Sequence, residues 1–195
     1  MKTKPTLTPR QVAMEIDRPE GVRFCTNGRK AGESSLLIRN ILVPIDFSEC
    51  SRKALHYAGA FARLFNARIT LLHVFRPLQG GGGEMGAIDY LALENESRAC
   101  CERQLEELAR EELGKGITFE VEVRNGHTVS EITRAAKECE ADVLVVSTHG
   151  RTGIRHALLG SIAESVVQHA SCPVLVVREH EHEFVQSLTS TDFIL

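Results

Sequence analysis

From residue 40 onward the chain alternates two kinds of segment, and this alternation restricts its architecture more than any other feature. Five short runs rich in β-branched residues, "NILVPID" (40–46), "RITLLHV" (68–74), "ITFEVEV" (117–123), "DVLVVST" (142–148) and "PVLVV" (173–177), have the length and composition of strands. Near-continuous apolar runs of this kind belong to strands buried on both faces. Between them, apolar residues recur at three and four: Ala54, Ala58, Phe61, Phe65; then Cys101, Leu105, Leu108; then Val129, Ile132, Ala136, Cys139; then Ile162, Val166, Ala170. Each gap therefore holds a helix. Strand and helix in strict alternation imply right-handed crossovers and a doubly wound α/β domain, an open sheet of five parallel strands with helices on both faces.

At 195 residues, 43% of them apolar and 25% charged, the chain has room for one ordinary domain with a real core. Its 23 Lys and Arg against 26 Asp and Glu give a net charge of −3, which excludes a general attraction to nucleic acid or an anionic membrane. Any anionic ligand must be held locally. The six cysteines show no C-x-x-C spacing and fall mostly in helical segments, which fits free thiols in a reducing cytosol rather than zinc or disulfides. No apolar run is long enough to span a bilayer, and the first residues carry no apolar signal core. No membrane or nucleic-acid partner is expected, and the expected location is the cytoplasm.

Three pieces lie outside the alternation. Residues 1–39, with Pro5, Pro9 and Pro19 and no sustained period, are expected to be a poorly ordered extension holding at most a short strand pair. The loop "RPLQGGGGEMGAI" (76–88) contains a literal G-x-G-x-x-G, but within a glycine run and seven residues past its strand, so it is a loop and not a dinucleotide fingerprint. The tail, 179–195, is expected either to fray or to dock through "FVQSL" and "FIL". The domain proper is then 40–178.

In an open parallel sheet, ligands sit beyond the carboxyl ends of strands where the strand order reverses. Two strand ends compete for that place. The first finishes "VPIDFS", with Asp46 at the strand-to-loop junction and Pro44 in a strand position where it donates no hydrogen bond. The fourth runs into "STHGRTGIRHALLGS", Ser147 to Ser161, a glycine-bearing loop that ends at a helix start. Unpaired N–H groups and a positive dipole end suit that start to phosphate, and glycine lets phosphate approach closely. Ser161 and Glu164 also have the spacing of a capping box, which satisfies the same groups without any ligand. There is no G-x-x-x-x-G-K-[ST] and no G-x-S-x-G, so a P-loop and a serine nucleophile are both unsupported. His73, in a strand, fits a satisfied core histidine, and His180 and His182 in "EHEHE" fit solvated charge.

Taken together, "ILVPIDFSECSRKALHYA", "ITLLHV" and "ADVLVVSTHGRTGIRHALLGSIAESVVQHASCPVLVV" resemble the universal stress protein family, in particular its nucleotide-binding branch, over residues 40–178. The family's fold is the HUP, or adenine nucleotide alpha hydrolase-like, type. Its ATP motif is G-x-x-G, nine residues, then G with Ser or Thr. Here His149 and Gly150 are followed by nine residues, Arg151 to Leu159, and then by Gly160 and Ser161, while Ser147 stands where the motif has its first glycine. His127 stands where the family usually has proline.

The resemblance implies that Pro44, Ile45 and Asp46 border an adenosine, with Asp46 accepting hydrogen bonds from it, and that Val74 lines the adenine side. Gly150, Gly160, Ser161 and Ile162 would hold phosphates, with Ser147, His149 and Arg151 in the same loop; Arg151 and Arg155 either neutralise phosphate or are solvated. It implies ATP, ADP or AMP as ligand, Mg²⁺ held through the phosphates, and a homodimer paired through the last strand, Pro173 to Val177. With no general base or protein-held metal set visible, the expected function is a nucleotide-responsive regulator, slow ATP hydrolysis being left open. The rivals are a dimeric interaction module that binds no nucleotide, and a nucleotide-processing enzyme of related architecture. The latter would carry H-x-G-H or S-G-G-x-D-S after the first strand, and "VPIDFSEC" is neither.

Overall fold

The computed structural model describes residues 36–75, 87–148 (side chains from 92), 159–179 and 185, together with two short strands nearer the start. Those strands, β1 (Val12–Ala13) and β2 (Cys25–Thr26), pair antiparallel. The chain divides into two units, Met1–Leu36 and Leu37–Leu195.

The second unit runs β3 (Asn40–Pro44), α1 (Glu49–Phe65), β4 (Arg68–Phe75), α2 (Ala87–Leu113), β5 (Phe119–Asn125), α3 (Thr128–Glu138), β6 (Val143–Ser147), α4 (Ser161–His169) and β7 (Val174–Val177). The five strands form one sheet in the order β5-β4-β3-β6-β7, and every neighbouring pair is parallel. The chain thus starts in the middle, winds outward to β5, then returns to the centre and winds out the other way. This is the doubly wound architecture that the alternation of segments dictates.

Alternate residues of each strand serve opposite layers. Ile41, Val43, Ile69, Leu71, Val143 and Val145 pack with Ala54, Leu55 and Ala58 of α1 and Leu105, Leu108 and Leu113 of α2. Leu42, Leu72, Leu144 and Val146 pack with Ile132, Ala135 and Ala136 of α3 and Ala163 and Val166 of α4. The central strand is therefore buried on both faces, which is why its sequence shows no polar alternation.

Several boundaries shift from the sequence reading for physical reasons. Ile38 is buried in the α1–α2 layer, and the N–H groups of Arg39 and Asn40 both donate to Asp142 Oδ2, at 2.7 and 2.9 Å, so the packed unit begins before residue 40. Helix α2 starts at Ala87, and from residue 92 on, where its side chains are described, the first buried one is Leu105. Ile162 does not join the core stripe of α4: Ala163 and Val166 occupy it, and Ile162 is 43% exposed at the helix start. In the tail, Val185 packs against the α1–α2 layer.

Candidate functional site

The strand order reverses between β3, the first strand of the sheet, and β6, the fourth. How these two part can be derived from the ladder. In a parallel strand one residue's N–H and C=O point to the same neighbour, and successive residues alternate between neighbours. Ile45 N–H donates to Leu72 O at 2.8 Å, on the β4 side, whereas Asn40 O accepts from Asp142 N–H at 2.9 Å, on the β6 side. Odd residues of β3 therefore address β4 and even residues address β6. Pro44 is even, and it has no N–H to give. The β3–β6 register accordingly ends at Leu42↔Leu144, while the β3–β4 register continues to Pro44↔Leu72. The proline that looks awkward in sequence opens the sheet at its switch point.

Beyond Pro44 the backbone turns sharply. Phe47 adopts φ 64°, the left-handed region that costs a non-glycine residue about 1 kcal/mol or more. Its ring packs on that of His73, centroids 4.9 Å apart, and His73 Nδ1 lies 2.7 Å from Ile45 O. Asp46 Oδ1 accepts from Ser48 N–H at 3.1 Å and from Ser48 Oγ–H at 2.6 Å. Ser48 Oγ in turn accepts from Ser51 N–H at 3.2 Å as the N-cap of α1. The half-buried Asp46 is thus anchored to a helix start at the mouth of the crevice, with Pro44 and the buried Ile45 beneath it. Val74, on β4, lies beside it with its side chain against the α3–α4 layer.

Ser147 ends β6 on the other side of the opening. The next residue, Thr148, is 2% exposed; its N–H donates to Val177 O at 2.9 Å and its O accepts from Gly160 N–H at 2.8 Å. The loop between Thr148 and Gly160 therefore begins and ends at one fixed point. Gly160 is the N-cap of α4, with φ −70° and ψ 149°, and provides no side-chain acceptor. This corrects the capping-box reading: Ser161 is already helical, so Glu164 N–H closes the first helical bond to Gly160 O at 2.9 Å, and the Ser161–Glu164 pair is not placed to cap. The first turn, with Ser161 and Ile162 exposed, presents its backbone N–H groups without the side-chain partner that most helix starts carry.

Pro44, Ile45, Asp46, Val74, Ser147, Gly160, Ser161 and Ile162 thus fall at the carboxyl edge of the sheet or at the helix start pinned to it. His149, Gly150 and Arg151, like Arg155, lie outside the described residues. Sequence reasoning missed Phe47 and Thr148; a phenylalanine after a strand gives no sign of left-handed backbone, and Thr148 is marked only by its place before the loop. His73 is satisfied, as its place in a strand suggests, but by the backbone beside the site. Among the described residues no group of three or more His, Cys, Asp or Glu could hold a metal ion. Burial pushes the thiols of Cys101, Cys139 and Cys172 above their ordinary range, as expected of unreactive cysteines.

A doubly wound parallel sheet whose central strands part at the switch point defines a class of open-sheet α/β proteins. Within that class, the chain belongs to the universal stress protein family, whose sequence model matches residues 37–178. It is 32% identical over 151 residues to universal stress protein MJ0531 of Methanocaldococcus jannaschii, spanning 75% of this chain and 86% of that one. It is also 32% identical over 148 residues to universal stress protein YxiE of Bacillus subtilis, spanning 73% of this chain and 100% of that one. The solved structure of MJ0577, also from M. jannaschii, superposes with a TM-score of 0.64 at 28% identity, covering 75% of this chain and 100% of that one. No helix among the described residues is long and apolar enough to cross a membrane.

Proposed function

We propose that this chain is an adenine-nucleotide-binding universal stress protein, a nucleotide-responsive regulator with ATP, ADP or AMP as its ligand. The observation that carries this reading is the opening made by Pro44, with a backbone edge on one flank and the pinned helix start of α4 on the other. On the β4 flank, Val74 is the next residue whose N–H and C=O address β3, and the β3–β4 register has already ended at Pro44↔Leu72. A neighbouring donor and acceptor on an extended strand match the N1 acceptor and N6 amino donor of adenine. Asp46 then accepts from the ribose hydroxyls, and the amides after Gly160, with the Ser161 hydroxyl, receive the phosphates. Gly150 and the His149–Arg151 segment complete the phosphate side in this reading. Mg²⁺ enters with the nucleotide, held by its phosphates and by water.

Subunits pair in this reading through the segment from Pro173 to Val177, which contains the apolar edge strand β7, giving a homodimer whose mass sedimentation equilibrium would show. Mass spectrometry of small molecules released from freshly purified, denatured protein tests the nucleotide directly, backed by calorimetry with ATP and adenosine. Absence of bound nucleotide together with no heat of ATP binding would leave the second reading, a dimeric interaction module. Ser147 in place of the motif's first glycine is the residue that favours that alternative.

A further inference from the structure

We propose that the stacked pair His73 and Phe47 is a wedge that stops the β3–β4 ladder one rung short, and that His73 is thereby the positioning residue of the adenine edge. The ligand named here rests on the nucleotide reading above; the wedge itself does not.

The ladder shows what is missing. Its last complete rung joins Pro44 to Leu72, closed by Ile45 N–H on Leu72 O at 2.8 Å. Regular continuation would bring Val74 N–H to Ile45 O and Phe47 N–H to Val74 O. Neither bond forms among the described residues. The first is displaced because the His73 ring occupies Ile45 O, Nδ1 to oxygen 2.7 Å. A carbonyl oxygen only accepts, so Nδ1 carries the proton. The second is absent where the chain leaves the strand direction, at Phe47 with φ 64°. The two residues hold each other in place, ring centroids 4.9 Å apart at 46°. Phe47 also packs against the α1–α2 layer, which offsets the cost of its backbone.

Two groups that a regular sheet would consume, the N–H and C=O of Val74, are therefore kept for a ligand. The same contact fixes the Ile45–Asp46 peptide, and Ser48 holds the Asp46 carboxylate that follows it. A histidine suits this because its ring donor leaves the strand sideways and reaches the neighbouring carbonyl without moving either backbone.

The test is amide hydrogen exchange by NMR on the ligand-free full chain, in wild type, His73→Leu and His73→Asn. Leucine keeps apolar bulk and loses the ring N–H; asparagine returns a donor near the same place. The Val74 amide is expected to exchange freely in wild type and His73→Asn, and to slow by about tenfold or more in His73→Leu as the missing rung closes. Loss of an ordinary packing residue would speed exchange there instead. Affinities for adenosine and ATP should fall together by about tenfold in His73→Leu, the worth of one good hydrogen bond, with their ratio unchanged, and recover in His73→Asn. A Val74 amide already protected in wild type, or not slowed in folded His73→Leu, overturns the wedge. Should His73→Leu not fold, wild type decides: nitrogen NMR must show Nδ1 protonated and the Val74 amide must be unprotected, and failure of either overturns it. If wild type binds no adenosine, the nucleotide reading falls, while the exchange result still decides the wedge.

Discussion

Replacing Gly160 with valine separates the two things a helix start can do, cap itself or hold an anion. Gly160 sits at φ −70° and ψ 149°, an extended conformation open to any L-residue, so valine brings no backbone strain. At an N-cap, valine is worse than glycine by at most about 1 kcal/mol, and stiffening the unfolded chain returns about 0.4–1 kcal/mol. Stability should therefore change by less than about 1 kcal/mol, or about 2–4 °C in Tm for a domain of this size. Phosphate binding is a different matter. In the proposed reading the added side chain would stand where phosphate meets the first-turn amides, and losing two charge-assisted bonds of about 1.5 kcal/mol each would weaken ATP binding by at least about a hundredfold. Adenosine, which has no phosphate, should change by less than about threefold. Calorimetry with both ligands, with circular dichroism to confirm folding, reads the split. A folded Gly160→Val protein with wild-type ATP affinity would refute the phosphate cradle.

Three further outcomes follow from the packing. Leu144, fully buried on the central strand β6 in the α3–α4 layer, should cost about 2–5 kcal/mol as Leu144→Ala, measured by urea unfolding. Deleting residues 1–38 should leave a domain about 2 kcal/mol less stable than deleting 1–35, because only the longer deletion removes Ile38, 8% exposed in the core; equal stabilities would show that its burial contributes little. Asp142, whose carboxyl is held below its ordinary value by the backbone N–H groups of Arg39 and Asn40, stabilises the fold above its unfolded pKa and ceases to do so as pH falls through its lower folded value. Asp142→Asn should lower stability at pH 7 by about 1 kcal/mol, discounted for its exposure, and flatten the loss of stability between neutral pH and about pH 3; an unchanged acid limb would remove Asp142 from it.

The layers of this fold were legible because burial leaves a period in the sequence. Ala54 and Ala58, Leu105 and Leu108, Ile132 and Ala136 all face the sheet as their spacing requires. Where a segment's conformation depends on hydrogen-bond competition, the sequence was ambiguous or misleading. Ser161 and Glu164 have the spacing of a cap, yet the helix begins one residue earlier than that pattern needs, because Gly160 is tied to Thr148 and takes the cap position itself. Ile162 keeps helical spacing with Val166 but lies in the first turn, at the edge of the packed stripe, and stays exposed. Pro44 was the informative residue, since a missing donor is written in the sequence. That its absence falls toward β6 rather than β4 depends on strand parity, which only the pairing reveals.

The candidate site is made chiefly from backbone groups that the sheet leaves unused, and this explains why it offers so few side-chain clues. Strand β3 ends against both neighbours within a few residues, but by different means. Toward β6 the ladder stops because Pro44 has no donor; toward β4 it stops because His73 takes the acceptor and the chain leaves the strand direction at Phe47. Ending one ladder alone would leave a frayed edge that the other strand could still straighten. Ending both at the same level makes a fixed opening, floored by Pro44 and Ile45 and backed by two packed layers. Specificity of this kind lies in directions of N–H and C=O groups rather than in side-chain chemistry. Substitution of the Val74 side chain should thus be tolerated where substitution of His73 is not, although Val74 is the residue beside the nucleotide in the proposed reading.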